Sequence, residues 1–182
     1  MLLIPFERLK MHSPHNGDLL LQKLEDSIEP KRFFRWWSGN HKPYEGKVQG
    51  DTFSASRIIH YRNSFLPQIR GRIDRGFPGC SVTISMFPHP LVVAFLAVWI
   101  GGVGLALAAP IFSLLIGSDQ PTEGSPLTIT ALLIPAAMMV FGYAITLIGF
   151  KIESSKAKTF FYQLFEADKV EEASLQEILW AT

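Results

Sequence analysis

The sequence has a single cysteine and long segments without any charged side chain. Of its 182 residues only Cys80 is a cysteine, which excludes an internal disulfide framework and a thiolate cluster for zinc or an iron–sulfur centre. Charged residues make up 18% of the chain and apolar residues 48%, a balance that excludes a disordered protein. The 17 basic and 16 acidic residues give a net charge of +1, so nucleic acid is not an expected partner.

Two uncharged segments are long enough to cross a membrane. No Asp, Glu, Lys or Arg occurs between Arg75 and Asp119, or between Glu123 and Lys151. The apolar part of each segment exceeds the roughly 20 residues that span a hydrocarbon core of about 30 Å. We therefore predict a transmembrane α-helical hairpin. The predicted parts of the chain are a soluble domain (1–88), helix one (89–117), a short external loop (118–125), helix two (126–150) and a tail (151–182).

Basic residues flank this hairpin on the side of both chain termini, whereas the loop between the helices carries two acids and no base. By the positive-inside rule, this distribution predicts that both termini lie in the cytoplasm and the loop outside. The flanking cations are Arg70, Arg72, Arg75, Lys151, Lys156 and Lys158.

The sequence lacks the residue patterns that catalysis and ion transport require. The two predicted spans contain no Asp, Glu, Lys or Arg, which argues against a pump or transporter acting alone. No glycine-rich phosphate loop, nucleophile elbow or HExxH motif occurs. His12 and His15 are close together without further ligands at metal spacing, so a structural or solvated role is expected. We predict neither an enzyme nor a bound cofactor, metal or small-molecule substrate.

The soluble domain is predicted to be α+β. A strand over 6–11 and a helix over 14–29 precede alternating apolar and polar residues, which indicate a four-stranded antiparallel meander. The four predicted strands cover residues 44–49, 53–61, 69–73 and 80–86. The fold class is thus an α+β membrane protein, in which a cytoplasmic strand–helix–meander domain is followed by the hairpin and an amphipathic C-terminal helix.

One face of the meander is apolar and requires a cover. The helix over 14–29 is one candidate, and the tail is the other. Residues 154–169 have helical spacing of apolar residues, and a possible capping box follows at 174–177. The tail could lie on the membrane, close over the sheet or bind a partner; its net acidic charge disfavours an anionic lipid surface.

Two cytoplasmic segments combine cations with aromatic side chains. Residues 31–37 place three cations among four aromatics, and residues 57–75 carry five arginines. Such segments next to a span are typical of contact with lipid headgroups, or they form a docking face for an acidic protein or a cofactor-bearing complex. The candidate contact residues, together with a tryptophan inside helix one, are Arg32, Arg35, Trp36, Trp37, Arg62, Arg70, Arg72 and Trp99.

Small residues four apart give each predicted span a face for close helix packing. Gly102 and Ala106 form this face in helix one, and Gly142 and Thr146 form it in helix two. Such faces pack a hairpin on itself or receive a foreign helix, and the motif does not distinguish the two.

The segment YRNSFLPQIRGRI (61–73), with EPKR (29–32) and KPYEG (42–46) before it, resembles a family of uncharacterised bacterial two-span membrane proteins that is common in cyanobacteria. The resemblance covers most of residues 5–115. It implies no established activity and no site residues. It does imply a bacterial inner or thylakoid membrane, and it makes a photosynthetic or respiratory complex a candidate host.

The leading functional hypothesis is a non-catalytic accessory or assembly subunit of a larger membrane protein complex, with membrane lipids and that complex as partners. The alternative is a membrane-tethered binding module, in which the sheet and its covering helices enclose a lipid or pigment. An ion channel built by homo-oligomerisation is the third hypothesis.

Overall fold

The computed structural model describes residues 4–31, 41–59, 61, 63–116 and 126–172. The chain divides into two compact units. Unit one comprises Met1–His89 and Gly149–Thr182, and unit two is Pro90–Ile148. Several parts of the sequence prediction lie outside the described residues: Arg32, Arg35, Trp36, Trp37, Arg62, the loop 118–125 and the capping box 174–177.

Unit one is built on a seven-stranded sheet with the spatial order β2-β3-β4-β5-β6-β1-β7. The antiparallel meander predicted from the alternation is confirmed as β3 to β6. Two strands extend the sheet beyond the prediction: β2 pairs parallel with β3, and β7 pairs antiparallel with β1. The strands are β1 (Glu7–Ser13), β2 (Ile28–Pro30), β3 (Tyr44–Gln49), β4 (Thr52–Arg57), β5 (Pro67–Arg75), β6 (Cys80–Pro88) and β7 (Lys169–Glu172).

Helix α1 (Gly17–Ser27) is shorter than the predicted helix over 14–29. Its N-cap is Asn16, whose side-chain oxygen accepts a hydrogen bond from the Leu19 backbone N–H at 2.9 Å. Ser13 ends β1, and its hydroxyl donates to the Phe165 carbonyl at 2.6 Å. Because the Asn16 cap satisfies an amide of the first turn, the helix begins there and not at Pro14.

Helix α3 (Pro126–Leu164) is one continuous helix, where the sequence predicted a membrane span ending at 150 and a separate tail helix. The residues between the two predictions include no glycine or proline, so the helix has no reason to stop. It ends at Leu164, and Glu166 then adopts a positive φ of 48°. The predicted helix to Lys169 is therefore too long: residues 165–168 form a turn, and β7 begins at Lys169.

The hydrophobic core of unit one lies between the inner face of the sheet, α1 and the last turns of α3. Phe161 is fully buried, and its ring centroid lies 5.3 Å from that of Tyr44 and 5.6 Å from that of Phe53. Phe165 stacks on Phe161 at 5.7 Å, and α1 contributes Leu20 and other apolar side chains. Of the alternatives for the tail, the structure shows the one in which it covers the sheet.

Helix α2 (Pro90–Ile116) and most of α3 are long and apolar enough to cross a membrane. The most apolar 18-residue stretch has a mean hydropathy of 2.5 within Pro90–Ala108 and 2.0 within Leu132–Leu164, and few residues of these two stretches are buried. Length and composition therefore fit the predicted transmembrane helices.

We expect Phe161→Ala to lower the free energy of unfolding of unit one by about 3–5 kcal/mol, the usual cost of removing a fully packed phenylalanine. Denaturant-dependent hydrogen exchange of the β3 and β4 amides, in the full-length protein in detergent, measures this loss. Tyr162→Ala is the matched control, because Tyr162 follows Phe161 on the same helix and is exposed. Equal effects of the two substitutions would contradict the assignment of the α3 end as the cover of the sheet.

Candidate functional site

The outer face of the sheet, opposite the helices, is polar and basic. On β5, Arg70 and Arg72 are exposed, whereas their neighbours Ile69 and Ile73 are buried. This alternation follows from the pleat, because successive side chains of a strand point to opposite faces. The two arginines that the sequence singled out therefore lie on the face that the core does not use.

The strand register brings further cations to the same face. Arg8 of β1 pairs with Ser85 of β6, which pairs with Arg70. The row continues through Ser54 of β4 to Lys47 of β3.

A second, parallel row crosses the same face two residues along the strands. Lys10 of β1 pairs with Thr83 of β6, which pairs with Arg72, and Arg72 pairs with Thr52 of β4. Cations thus alternate with hydroxyl side chains in both rows, and beyond Lys10 the second row ends at Glu171 of β7. We call the five cations of the two rows the open basic face: Arg8, Lys10, Lys47, Arg70 and Arg72.

Over the described ranges of the chain, no ion pair involves a residue of the open basic face. Arg70 instead lies over the ring of Phe87, with its guanidinium carbon 4.9 Å from the ring centroid. Most other described cations do form ion pairs, namely Lys23, Arg57, Arg75, Lys151, Lys156 and Lys158. The open basic face is consequently available to bind anions.

A cavity beside Lys10 on this face is also lined by the carboxylates Asp168 and Glu171, and two shallow cavities are lined by its arginines. One, of about 350 Å³, is lined by side chains of β1, β5 and β6 that include Arg8, Arg70 and Arg72. The other, of about 290 Å³, lies over β3, β4 and β5 and includes Lys47 and Arg70. The chemistry that these linings offer is recognition of negatively charged groups.

Trp99, the third described candidate, lies in unit two. Its ring packs against Gly142 of α3, where an added Cβ atom would lie 3.0 Å from the indole nitrogen. Thr146 donates a hydrogen bond to the Gly142 carbonyl at 2.8 Å. The small face predicted in helix two therefore packs the hairpin on itself, whereas a Cβ at Gly102 would meet nothing within 4 Å.

Sequence reasoning missed Arg8, Lys10 and Lys47 as members of the site. Each lies on a strand where polar residues alternate with buried ones, so the local signal was present. What the sequence does not contain is the pairing of β1 with β6, which joins strands about 70 residues apart and brings Arg8 beside Ser85.

A buried carboxylate on α3 forms a second cluster in unit one. Glu153 is 2% exposed and accepts hydrogen bonds from Arg57 and Lys156, both at 2.8 Å, and from the hydroxyl of Tyr61. Removing one partner of such a buried network leaves a charge uncompensated. With all its donors supplied by the chain, this cluster holds α3 against β4 and is not available to a ligand.

A third cluster joins the turn after α3 to β1 and α1. Glu166 contacts His15 at 2.9 Å and Lys23 at 2.6 Å, and Asp168 contacts His12 at 2.9 Å. Hydrogen bonds from Lys23 and His15 lower the pKa of Glu166 to about 2, and the hydrogen bond from His12 lowers the pKa of Asp168. We call this cluster the carboxylate latch; its residues are His12, His15, Lys23, Glu166 and Asp168.

Cys80 is buried in β6. In the part of the chain that the structure describes, no group of three or more His, Cys, Asp or Glu side chains is arranged to hold a metal ion.

Comparisons with protein-family models, with curated proteins and with solved structures found no match to this chain. The resemblance to a bacterial two-span family stays a prediction.

We expect acid to loosen the carboxylate latch. A carboxylate with a lowered pKa in the folded state stabilises it above the ordinary pKa, near 4.5 for Glu166, and this contribution is lost as the pH falls towards 2. Hydrogen exchange of residues 165–172, corrected for its intrinsic pH dependence, should therefore accelerate over that interval.

Glu166→Gln should show the faster exchange already at neutral pH and a smaller change on acidification. Glu171→Gln is the control, because Glu171 is exposed and outside the latch, and it should behave like the unaltered protein. Constant protection of residues 165–172 down to pH 2 would contradict a role for these ion pairs.

Proposed function

We propose that this chain is a non-catalytic accessory or assembly subunit of a larger membrane protein complex. The two apolar helices anchor it, and the open basic face docks on an acidic surface of the partner. The observation that carries the proposal is the set of five cations on one face of the sheet that form no ion pair among the described residues, whereas most other described cations do. Complementary charge of this kind orients an encounter and selects against wrong partners.

The location of the cations favours docking over an internal role. Their side chains lie on the outer face, while the inner face is occupied by the core. Arg70, Arg72, Lys10 and Lys47 are exposed among the described residues, so an acidic partner surface can approach them without displacing a described helix or strand. Arginine is also enriched among residues that dominate binding energy at interfaces.

The alternative hypothesis, a module that encloses a lipid or pigment, requires space between the sheet and its helices. In the described structure that region holds Leu20, Phe150, Phe161 and Phe165, each fully buried. An enclosed ligand would have to displace these side chains, at a cost of the order of a core truncation for each. The packing therefore favours the accessory-subunit proposal.

The orientation that goes with the proposal has both termini in the cytoplasm, since the flanking cations lie on the terminal side of the two helices and acids lie in the loop. The open basic face then meets cytoplasmic partners. A photosynthetic or respiratory complex is the host that the family resemblance favours.

Native gel electrophoresis of gently solubilised source membranes, with mass spectrometry, tests the proposal. We expect the chain to migrate with a larger complex, whose identity the same gel supplies. The double variant Lys47→Glu/Arg72→Glu should migrate near its own mass, because reversing two charges turns attraction to an acidic surface into repulsion.

The matched control is Lys47→Arg/Arg72→Lys, which keeps both charges and should stay with the complex. The proposal is overturned if the unaltered chain migrates alone, or if the charge-reversed variant stays with the complex as fully as the control does.

Single cysteines test the orientation. A membrane-impermeant maleimide applied to intact cells should label Thr122→Cys in the loop and leave Ser174→Cys in the tail unlabelled until the membrane is permeabilised. The unaltered chain provides the background, because Cys80 is only 3% exposed. The reverse labelling pattern would place both termini outside and contradict the proposed orientation.

A further inference from the structure

Three arginines surround one of the cavities on the outer sheet face. Arg8 and Arg70 lie on the two strands that flank β6, both opposite Ser85. Two strand spacings separate them, about 9–10 Å between backbones. Arg72 lies two residues from Arg70 on the same strand, about 7 Å away, so three guanidinium groups can reach one point from different sides.

Hydroxyl groups occupy the positions between the arginines. Ser85 lies between Arg8 and Arg70, and Thr83 is the direct partner of Arg72. Both side chains line the same cavity of about 350 Å³. A serine or threonine hydroxyl donates one hydrogen bond, so the floor of the cavity offers neutral donors and its rim offers charged ones.

The electrostatic balance of the lining favours an anion. The lining includes one carboxylate, Asp74, which lies a row further along and pairs with Ser81 across the strands. Three guanidinium groups outnumber it. Arg70 lines the cavity, and its guanidinium also lies over the ring of Phe87, which is outside the lining.

We propose that this cavity binds a phosphate group, carried either by an anionic phospholipid headgroup or by a soluble phosphate ester. A carboxylate has two oxygens on one edge and is satisfied by a single guanidinium fork. A phosphate presents oxygens in several directions and, as a monoester, carries a charge of about −1.5 to −2. Cations that converge from two strands on either side of a hydroxyl fit the second geometry.

The inference goes beyond the proposed function and does not depend on it. Docking on a partner complex is a property of the chain in its source membrane, and phosphate binding is a property of the purified chain alone. A chain that binds phosphate but joins no complex, or joins a complex without binding phosphate, would separate the two.

Isothermal titration calorimetry of the purified full-length chain in a neutral detergent tests the site. The ligands are inorganic phosphate, glycerol phosphate and a short-chain phosphatidylglycerol, with acetate at equal ionic strength as the control anion. We expect saturable binding of at least one phosphate-bearing ligand, and weaker binding of acetate.

Arg8→Gln and Arg70→Gln should each weaken that binding about tenfold or more, the usual consequence of losing a hydrogen bond to a charged group. The matched control is Lys47→Gln, which removes the same charge from the open basic face but from outside this cavity, and should change the dissociation constant less than about twofold. Arg8→Lys keeps the charge without the fork and should bind with intermediate affinity. A thermal melt of each variant confirms that it is folded.

The two sources of phosphate give different results. Tighter binding of phosphatidylglycerol than of glycerol phosphate supports the site and identifies a headgroup, whereas equal or weaker binding supports it and identifies a soluble ester. The proposal is overturned if no phosphate-bearing ligand binds saturably, if acetate binds as tightly as phosphate, or if Lys47→Gln weakens binding as much as Arg8→Gln.

Discussion

The cover that the end of α3 provides for the inner face of the sheet is the constraint on which the rest of unit one depends. Aromatic side chains bury about 150–250 Å² each, and Phe161 and Phe165 place two of them against Tyr44 and Phe53. An antiparallel sheet needs only one covered face and can leave the other to water. Because α3 covers one face of the sheet, only those alternate strand residues that point to the other face remain accessible to a ligand or partner.

The same arrangement explains how the charges are distributed. The elements that cover the sheet bring their own lysines and carboxylates, and these pair where the elements meet the sheet edge and the turns. Lys151 reaches Glu7 at 2.5 Å, and Lys158 contacts both Glu7 and Glu172. The cations of the outer face point away from those elements. The carboxylate of Glu153 on α3 pairs with Arg57 and Lys156 and lies on the opposite side of the sheet from Arg70. The outer face has carboxylates of its own, Asp74 and Glu171, but among the described residues neither forms an ion pair with a cation of the open basic face.

Much of this fold could be predicted from local patterns, and the remainder depends on contacts between distant residues. The alternation between residues 44 and 86 gave the meander and placed Arg70 and Arg72 on its polar face, because the period of a strand is local information. Strand β7 could not be found that way, since Lys169–Glu172 is exposed throughout and exists only through its pairing with β1. The continuity of α3 was missed because a change from apolar to charged residues suggests a boundary, although helical backbone geometry requires none. Of the five cations of the candidate site, Arg70 and Arg72 were predicted from the sequence. Arg8 and Lys10 join them through the pairing of β1 with β6, and Lys47 joins them through the pairing of β3 with β4.

The position of the covering residues along the chain also orders the events of biosynthesis. The strands from β1 to β6 leave the ribosome first, and Phe161 follows only after both apolar helices have been made. At about 5–20 residues per second, the interval from the end of β6 to Phe161 lasts about 4–15 s. During that interval the part of the sheet that α3 will cover is an exposed apolar surface, and only the completion of the second apolar helix ends this exposure. Closure of the core therefore follows the synthesis of both apolar helices.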